Sequence, residues 1–522
     1  MKNTIYVLFL LLIIDNVNAQ TKVFRQVVED MSTQLETIRQ DGNLVGYLAF
    51  NQLERSSEDS FHYRINIMDE NLNDIGSVEF KEEKLFLKAV AFEGDVLCLA
   101  YIKSNFAGRE FRTARQVRQA TEAARTSLFT QFIGLNGKII GGRNFRMDVK
   151  PDAEWEGGWS RKMIGNGRLK QPVQLRNITG KGFACFYGDD SKNRLLVLNT
   201  NGTVGWQKVV HDDAEGFNLL TSGPEVSLLL KKKDQMVEGG FELLSYNSAD
   251  SSAYPRLILK DRKGNSLKVL AFDNDPVTGK PYVSGMIIDP NKGNDILNGK
   301  QLSRGPYVGV FTINLNGHKR ADIQTNFSYW ADGSKSFVDK YGLFTAPQSY
   351  ARLESCFKDY EGNTWFTGSG VTRQTRWGIV AASIVTAPTV LIPAYLMIWG
   401  TQKCSLKDAL LLKLDSKGGL SLENTIPTSK YHSVQGKIPF SEYPDRASFY
   451  PVTNSDTRTD YIVIDDTRNI FIYNVNQKKI ARTIPHEDAT GSIAVFPAKE
   501  GSVMVYEYNR KEKTTRLSIE SL

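Results

Sequence analysis

Three patterns in this 522-residue chain predict an all-β fold. The first is a recurring hairpin, clearest in LLVLNTNGTVGW from Leu195, LILKDRKGNSLKV from Leu257, VFTINLNGHKRADI from Val310 and LLLKLDSKGGLSL from Leu410. In these copies Asn199, Asp261, Asn314 and Asp415 stand three residues before Gly202, Gly264, Gly317 and Gly418. Asp and Asn side chains satisfy local backbone groups, and glycine accepts the positive φ of the fourth turn position. The second pattern lies upstream of the hairpins. A glycine-bearing turn opens an apolar strand in DGNLVGYLAF at 41, EGDVLCLAY at 93, SGPEVSLLL at 222, EGNTWFTG at 361 and EGSVMVYEY at 500. The third is spacing. The anchors Asp69, Gly134, Asn199, Asp261, Asn314, Asp415 and Asn474 recur about every 60 residues, with Asn509 as a weaker eighth. The long interval from Asn314 to Asp415 returns to that spacing when residues 369–404 are excised.

Four strands per unit, repeated seven or eight times, is the arithmetic of a β-propeller. Eight blades is the expected count, with seven as the alternative. The anchor turns chiefly join the third and fourth strands of each blade. A β-solenoid would need shorter rungs, and paired sandwiches would need a linker that the sequence lacks. The first unit (Leu44 to Phe80) and the last (Ile493 to Ile519) each look one strand short, so the chain ends are expected to pair and close the ring.

Residues 1–19 read as a secretory signal. Lys2 supplies the positive start, Val7 to Ile14 an apolar run too short to span a bilayer, and Val17-Asn18-Ala19 a cleavage site before Gln20. The expected location is extracytoplasmic: the periplasm, a membrane surface facing it, or the exterior. Residues 20–41 follow, with apolar positions 24, 27, 28, 31, 35 and 38 spaced as on one face of a short N-terminal helix. The propeller then runs over 42–522, with insertions at about 104–127, 149–170 and 369–404. Cys98, Cys185, Cys356 and Cys404 lie far apart, and three of them sit in apolar strands. They read as buried small hydrophobes, with a disulfide as the alternative.

Blade hairpins such as LKLDSKGGLSLENTIP (412–427), echoed by IARTIP at 480–485, give the region 41–522 a pattern that resembles exported, propeller-like bacterial proteins. That resemblance is to proteins of no assigned activity. It implies a fold and carries over no catalytic residue.

The insertions depart from the repeat. Arg109–Arg125 reads as an exposed basic helix, a solvated face or a contact for headgroups or an acidic partner. Asp152–Lys170 is a glycine-rich loop whose Trp155, Trp159 and Arg161 form a candidate ligand loop, with packing over a blade end as the plainer reading. Trp377–Trp399 is uncharged, bounded by tryptophan and flanked by Arg373, Arg376, Lys403 and Lys407. Hydropathy alone would make it a transmembrane helix. Its flanking strands must share one blade, however, and Pro388 and Pro393 interrupt a straight helix. Three readings remain: a segment dipping into one leaflet, an apolar plug against a partner, and a buried insertion. In the first two, Trp377, Ile379, Val380, Ile384, Val390, Leu391, Ile392, Tyr395, Leu396 and Trp399 make the contact.

No HExxH, GxSxG, P-loop or post-strand GxGxxG occurs, so no catalytic residue is assigned. The five histidines, His62, His211, His318, His432 and His486, have no metal-ligand spacing. No cofactor is expected. Asp273-Asn274-Asp275 could supply oxygen ligands to Ca²⁺ but reads first as an Asx-rich turn. A net charge of +7 spread among acids excludes a concentrated nucleic-acid face. The expected function is a noncatalytic binding or assembly module, with a protein partner or membrane surface. The alternative is an extracytoplasmic propeller enzyme acting on glycans, which would show facing carboxylates or a carboxylate with a histidine. Any small-molecule ligand is unspecified.

Overall fold

The computed structural model describes residues 20–522 apart from 26–31, 42, 57–59, 156–162, 167–171, 211–213, 233–239, 290–306, 334, 376–401, 429–430, 435–447, 455–456, 467, 487–490, 500, 510 and 513. Among the described residues, eight antiparallel sheets of four or more strands follow one another along the chain. We number these blades 1 to 8. Their first strands are Ser32–Gln40, Lys84–Glu93, Val173–Ile178, Ala214–Ser222, Leu267–Asn274, Ser349–Lys358, Ser448–Asn454 and Gly491–Pro497. From blade 1 to blade 7, each first strand contacts the next, so these strands line the centre of the ring.

The ring is held by eight apolar clusters, one at each blade interface. The alternation of side chains along a strand explains how one sequence feeds two of them. In Val96–Ser104 of blade 2, Leu97, Leu99 and Tyr101 join the cluster shared with blade 1. Cys98 and Ala100, pointing the other way, join the cluster shared with blade 3. In blade 6, Leu410, Leu412 and Leu414 face blade 5, and Ala409 and Leu411 face blade 7. Strands buried on both faces read as continuous apolar runs, which is why the middle strands are so conspicuous in the sequence. Fourth strands are polar on the exposed side, as in Lys479–Pro485. Cys98, Cys185 and Cys356 are buried free thiols within this packing.

The chain ends close the ring. Gln20–Arg25 pairs antiparallel with Thr514–Ile519 as the outer strand of blade 8. Lys22 Nζ then reaches Asp74 Oδ1 of blade 1 at 2.5 Å. Tyr47, Met68 and Leu72 of blade 1 pack with Met504, Leu517 and Ile519 of blade 8. The expected N-terminal helix is a correction: Gln20–Arg25 and Ser32–Gln40 are strands. An inner strand buries both faces, so Leu35 turns toward the blade 8 side and Ile38 toward blade 2. Such two-sided burial mimics helical spacing. Blade 1 therefore has its own four strands, and the last blade alone borrows one.

The repeated turn has one geometry. In the Asp69, Asn199, Asp261, Asp359 and Asp415 turns, the anchor N–H donates to the carbonyl four residues on, and the residue at the fourth position donates back to the anchor carbonyl. The anchor carboxylate also accepts two backbone N–H groups, as at Asp415 from Lys417 and Gly419, both at 2.8 Å. The fourth position is left-handed, with Gly418 at φ 88°. Gly418→Ala should cost about 1–2 kcal/mol, read in urea unfolding, because an L side chain resists that region. Asp69, Gly134, Asn199, Asp415 and Asn474 do stand at third-to-fourth turns, with Asn314 just inside the strand that leads into one. Asp261 does not: it joins the outer strand of blade 4 to the inner strand of blade 5. Asn509 joins the second and third strands of blade 8, because the fourth comes from the N-terminus. The same turn chemistry serves different connections, and local sequence does not tell them apart.

This connectivity gives the ring two unlike faces. First-to-second and third-to-fourth turns open on one face and stay short, the longest being residues 248–256. Second-to-third and blade-to-blade connections open on the other. The strand ends that bound residues 105–125, 148–172, 289–306, 330–348, 376–401 and 427–447 all lie there.

Candidate functional site

The central channel is the first place where separate blades can meet. Its wall is tied by glutamines of the inner strands. Gln34 Nε2 of blade 1 donates to the Leu87 carbonyl of blade 2 at 3.3 Å, and Gln174 Oε1 of blade 3 accepts from Leu219 N–H of blade 4 at 2.6 Å. At the short-turn end, the inner strands of blades 1, 3 and 5 carry Arg39, Arg176 and Asp273. All three are solvent-accessible, yet each lies within electrostatic reach of the others. Blades 1, 3 and 5 are not neighbours, so this coupling crosses the lumen. Enclosure raises the Asp273 pKa, opposed by its own turn and by Arg176 and Arg39. Enclosure likewise lowers that of Arg39. Asp273 accepts from Asn274 N–H at 2.8 Å, and Arg176 donates to the Leu175 carbonyl at 3.4 Å. Among the described residues neither forms a direct ion pair. These three residues bring charge from three blades to one end of the channel.

Beside it, polar turns of three blades interlock. The Asn177 amide donates to Asp41 Oδ1 of blade 1 at 2.8 Å and to Glu93 Oε2 of blade 2 at 3.0 Å. Thr179 donates to Asp41 at 2.7 Å, and Gly180 N–H to Glu93 at 2.7 Å. On the same face, Lys358 Nζ of blade 6 meets Asp275 Oδ2 of blade 5 at 2.6 Å, both buried. The proposed Ca²⁺ triplet is thus drawn three ways: Asp273 to the channel, Asn274 to the Thr221 carbonyl at 2.8 Å, and Asp275 to Lys358. Among the described residues no group of three acidic, histidine or cysteine side chains is gathered to hold a metal.

The elaborated face carries the two sequence-predicted contact regions. Two insertions near blade 2 combine into one satellite. Glu110–Phe111, Asp152–Trp155 and Met163–Asn166 form a three-stranded sheet, and Phe106, Phe111 and Met163 make its core. A helix, α1 (Ala114–Glu122), lies on it through Val117 and Ala120. Thr113 and Gln116 cap its start reciprocally, and Arg112, Arg115 and Arg118 stay exposed. Trp155 lies in the sheet, its backbone paired with Met163. Trp159 and Arg161 lie outside the described residues.

Across the ring, at blade 6, Thr364–Thr375 and Gln402–Leu414 run as one long hairpin. Its last pairs are Arg373 with Cys404, Gln374 with Lys403, and Thr375 with Gln402. Trp377, Ile379, Val380, Ile384, Val390, Leu391, Ile392, Tyr395, Leu396 and Trp399 all lie outside the described residues, in the connection at its tip. Tyr431–Val434 adds a further strand along Lys403–Leu406. No helix among the described residues is long and apolar enough to cross a membrane.

Sequence spacing missed two pairs that need the fold. His486 and Asp465 meet at 2.8 Å on the elaborated face of blade 7. Burial raises the Asp465 pKa, and His486 opposes it. On the short-turn face His318 meets Glu225 at 3.1 Å and stacks on Tyr254 at 3.6 Å. Among the described residues neither imidazole receives a serine, threonine or cysteine hydrogen bond. Each holds two connections together.

The model of a family of unknown function, DUF6770, matches residues 1–112. That span holds the N-terminal strand, blade 1 and the first two strands of blade 2. No curated protein matches. Among solved structures, the Dos1 propeller is 8% identical, with 95% of this chain and 94% of that one covered and a TM-score of 0.44. The WD40 domain of SCAP from fission yeast is 8% identical, with 96% and 98% covered and a TM-score of 0.38. The β-propeller domain of the Trilobed protease from Pyrococcus furiosus is 8% identical, with 84% and 95% covered and a TM-score of 0.36. The chain is a β-propeller by its own sheets and interfaces, and its residues 1–112 are similar to a family whose function is unknown.

Proposed function

We propose that this protein is an exported, noncatalytic propeller that docks by its elaborated face on a membrane surface, through the apolar connection of blade 6. The observation that supports this most is the pairing of Thr375 with Gln402. The uncharged stretch between them must leave and re-enter the ring at one point. A single bilayer crossing would separate those two strands, whereas dipping into one leaflet keeps them together. Tryptophan at both ends suits the headgroup level. Burying half of the stretch contributes several kcal/mol, at about 25 cal/mol per Å² of apolar surface.

Replacing residues 376–401 by a short Gly-Ser turn tests the reading. The variant should leave the membrane fraction in flotation while keeping the strand signature in circular dichroism. Retention in the membrane fraction would sink it, and release from a protein complex instead would identify a protein partner. The enzyme alternative draws on the His486–Asp465 pair, which lies on the same face. It requires that His486→Ala abolish a measurable glycan hydrolysis. The pair's role in joining two connections supports the noncatalytic reading.

A further inference from the structure

We infer that the outer strand of blade 2, Ile139–Met147, is a docking edge for an extended segment of another protein in which large apolar and acidic residues alternate. The inference concerns the rim of the ring and does not depend on the docking face proposed above. Among the described residues no strand pairs with the outer side of Ile139–Met147. Its outward N–H and C=O groups are a template for one more strand. Other outer strands are blunted. Leu257–Leu259 of blade 4 is three residues long, Lys479–Pro485 of blade 7 begins with lysine and ends with proline, and the strand of blade 1 carries Asp74, Glu79, Lys81 and Glu82. Ile139–Met147 runs nine residues with no proline, lysine or acid.

Two features point outward. Ile139 and Ile140 are 42% and 44% exposed. Ile75 of blade 1, also 44% exposed, adjoins Gly76, which backs onto the Leu135–Gly137 turn leading into the strand. Gly141 is the second feature. Its φ is not left-handed, and a Cβ there would meet no atom within 4 Å. Gly142 differs, because its Cβ would strike the Phe129 ring at 2.8 Å. A glycine weakens a strand, and one that the fold does not need leaves a gap that a large side chain on an added strand covers. Charge selects the occupant. Lys138, Arg143 and Arg146 are the only charges in residues 138–147, and the nearest acid along the chain, Asp148, lies at the end away from the isoleucines. Arg143 Nε donates to the Gly202 carbonyl of blade 3, a neutral partner that leaves its charge in place. A second copy of this strand would bring the same basic residues to the contact, so an acidic partner is favoured over self-pairing.

Fluorescence anisotropy on the full chain tests the edge with a labelled peptide of the same length alternating phenylalanine and glutamate, and with its phenylalanine–lysine counterpart. The glutamate peptide should bind with a Kd of about 100 µM or tighter, and the lysine peptide should not bind. On binding, hydrogen exchange should slow at the amides of residues 139–147. Gly141→Val should leave the unfolding temperature unchanged or raise it, since valine suits a strand and its Cβ is unobstructed. The same variant should weaken the glutamate peptide at least about tenfold, and Ile140→Lys should do likewise. The inference is overturned if the glutamate peptide does not bind at about 1 mM, if the lysine peptide binds as well, or if Gly141→Val binds like wild type. Self-association in sedimentation that Ile140→Lys abolishes would make the occupant a second copy and overturn it too.

Discussion

Protein lacking residues 1–25 should unfold at markedly lower temperature and self-associate. These six residues pair in full register with Thr514–Ile519 and complete blade 8. Their removal deletes a ladder of backbone hydrogen bonds, each worth about 0.5–1.5 kcal/mol net, so a loss of about 3–6 kcal/mol is expected. It also removes the Lys22–Asp74 tie to blade 1. The uncovered edge of the last strand then offers unpaired N–H and C=O groups to other chains. Thermal unfolding and size-exclusion chromatography check both effects. A truncated protein as stable and as monodisperse as the intact one would show that the ring does not depend on this strand.

Asp460→Asn should have the opposite sign, and only above a definite pH. Asp460 is the second residue of the second strand of blade 7, Thr459–Asp465, and is 1% exposed. Burial, and then Asp359 of blade 6, push its carboxyl up to about 7. Tyr360 N–H opposes the shift and Glu361 adds to it. Its Oδ1 has no hydrogen-bond partner. Asp359 cannot relieve it, because its oxygens are taken by Glu361 and Asn363 N–H, the Asn363 amide and Trp365 Nε1. The folded pKa is raised above the carboxyl's ordinary value of 3.8, so the folded state holds the proton more tightly than the unfolded chain. Stability from this group is complete below the unfolded value and falls as pH rises toward about 7. Above that it stays low, because both states are ionised. The neutral amide avoids burying a charge, for a gain of about 1–3 kcal/mol at pH 8 after its own polar group is counted. Near pH 5 the gain should vanish. Unfolding midpoints of both proteins at the two pH values decide it, and an equal difference at both would refute the assignment.

The regular parts of this fold were legible because they are local. An Asx-glycine turn declares itself within five residues, and a strand buried on both faces declares itself as an apolar run. The segment 369–404 stood out for the same reason, since it breaks a spacing that the other units keep. What failed was the meaning of identical local signals in different places. Asp261 has the turn chemistry of Asp415 but links two blades, and Leu35 and Ile38 have helical spacing but serve two interfaces. The charged end of the channel was beyond reach. Arg39, Arg176 and Asp273 lie in separate blades, with no spacing to relate them. The same holds for His486 with Asp465 and for Asp460 with Asp359, which become partners only through strand order.

The borrowed strand also sets a clock. Gln20–Arg25 is made early and its partner Thr514–Ser521 much later. Blade 1 meets blade 8 through Tyr47, Met68 and Leu72, so it too waits for the end of the chain. Until then the growing protein is an open arc with an apolar sheet face at each end. Under the proposed export this delay is useful. A chain that cannot lock before Thr514–Ser521 emerges would remain able to thread through a secretion channel, with the ring closing only on the far side.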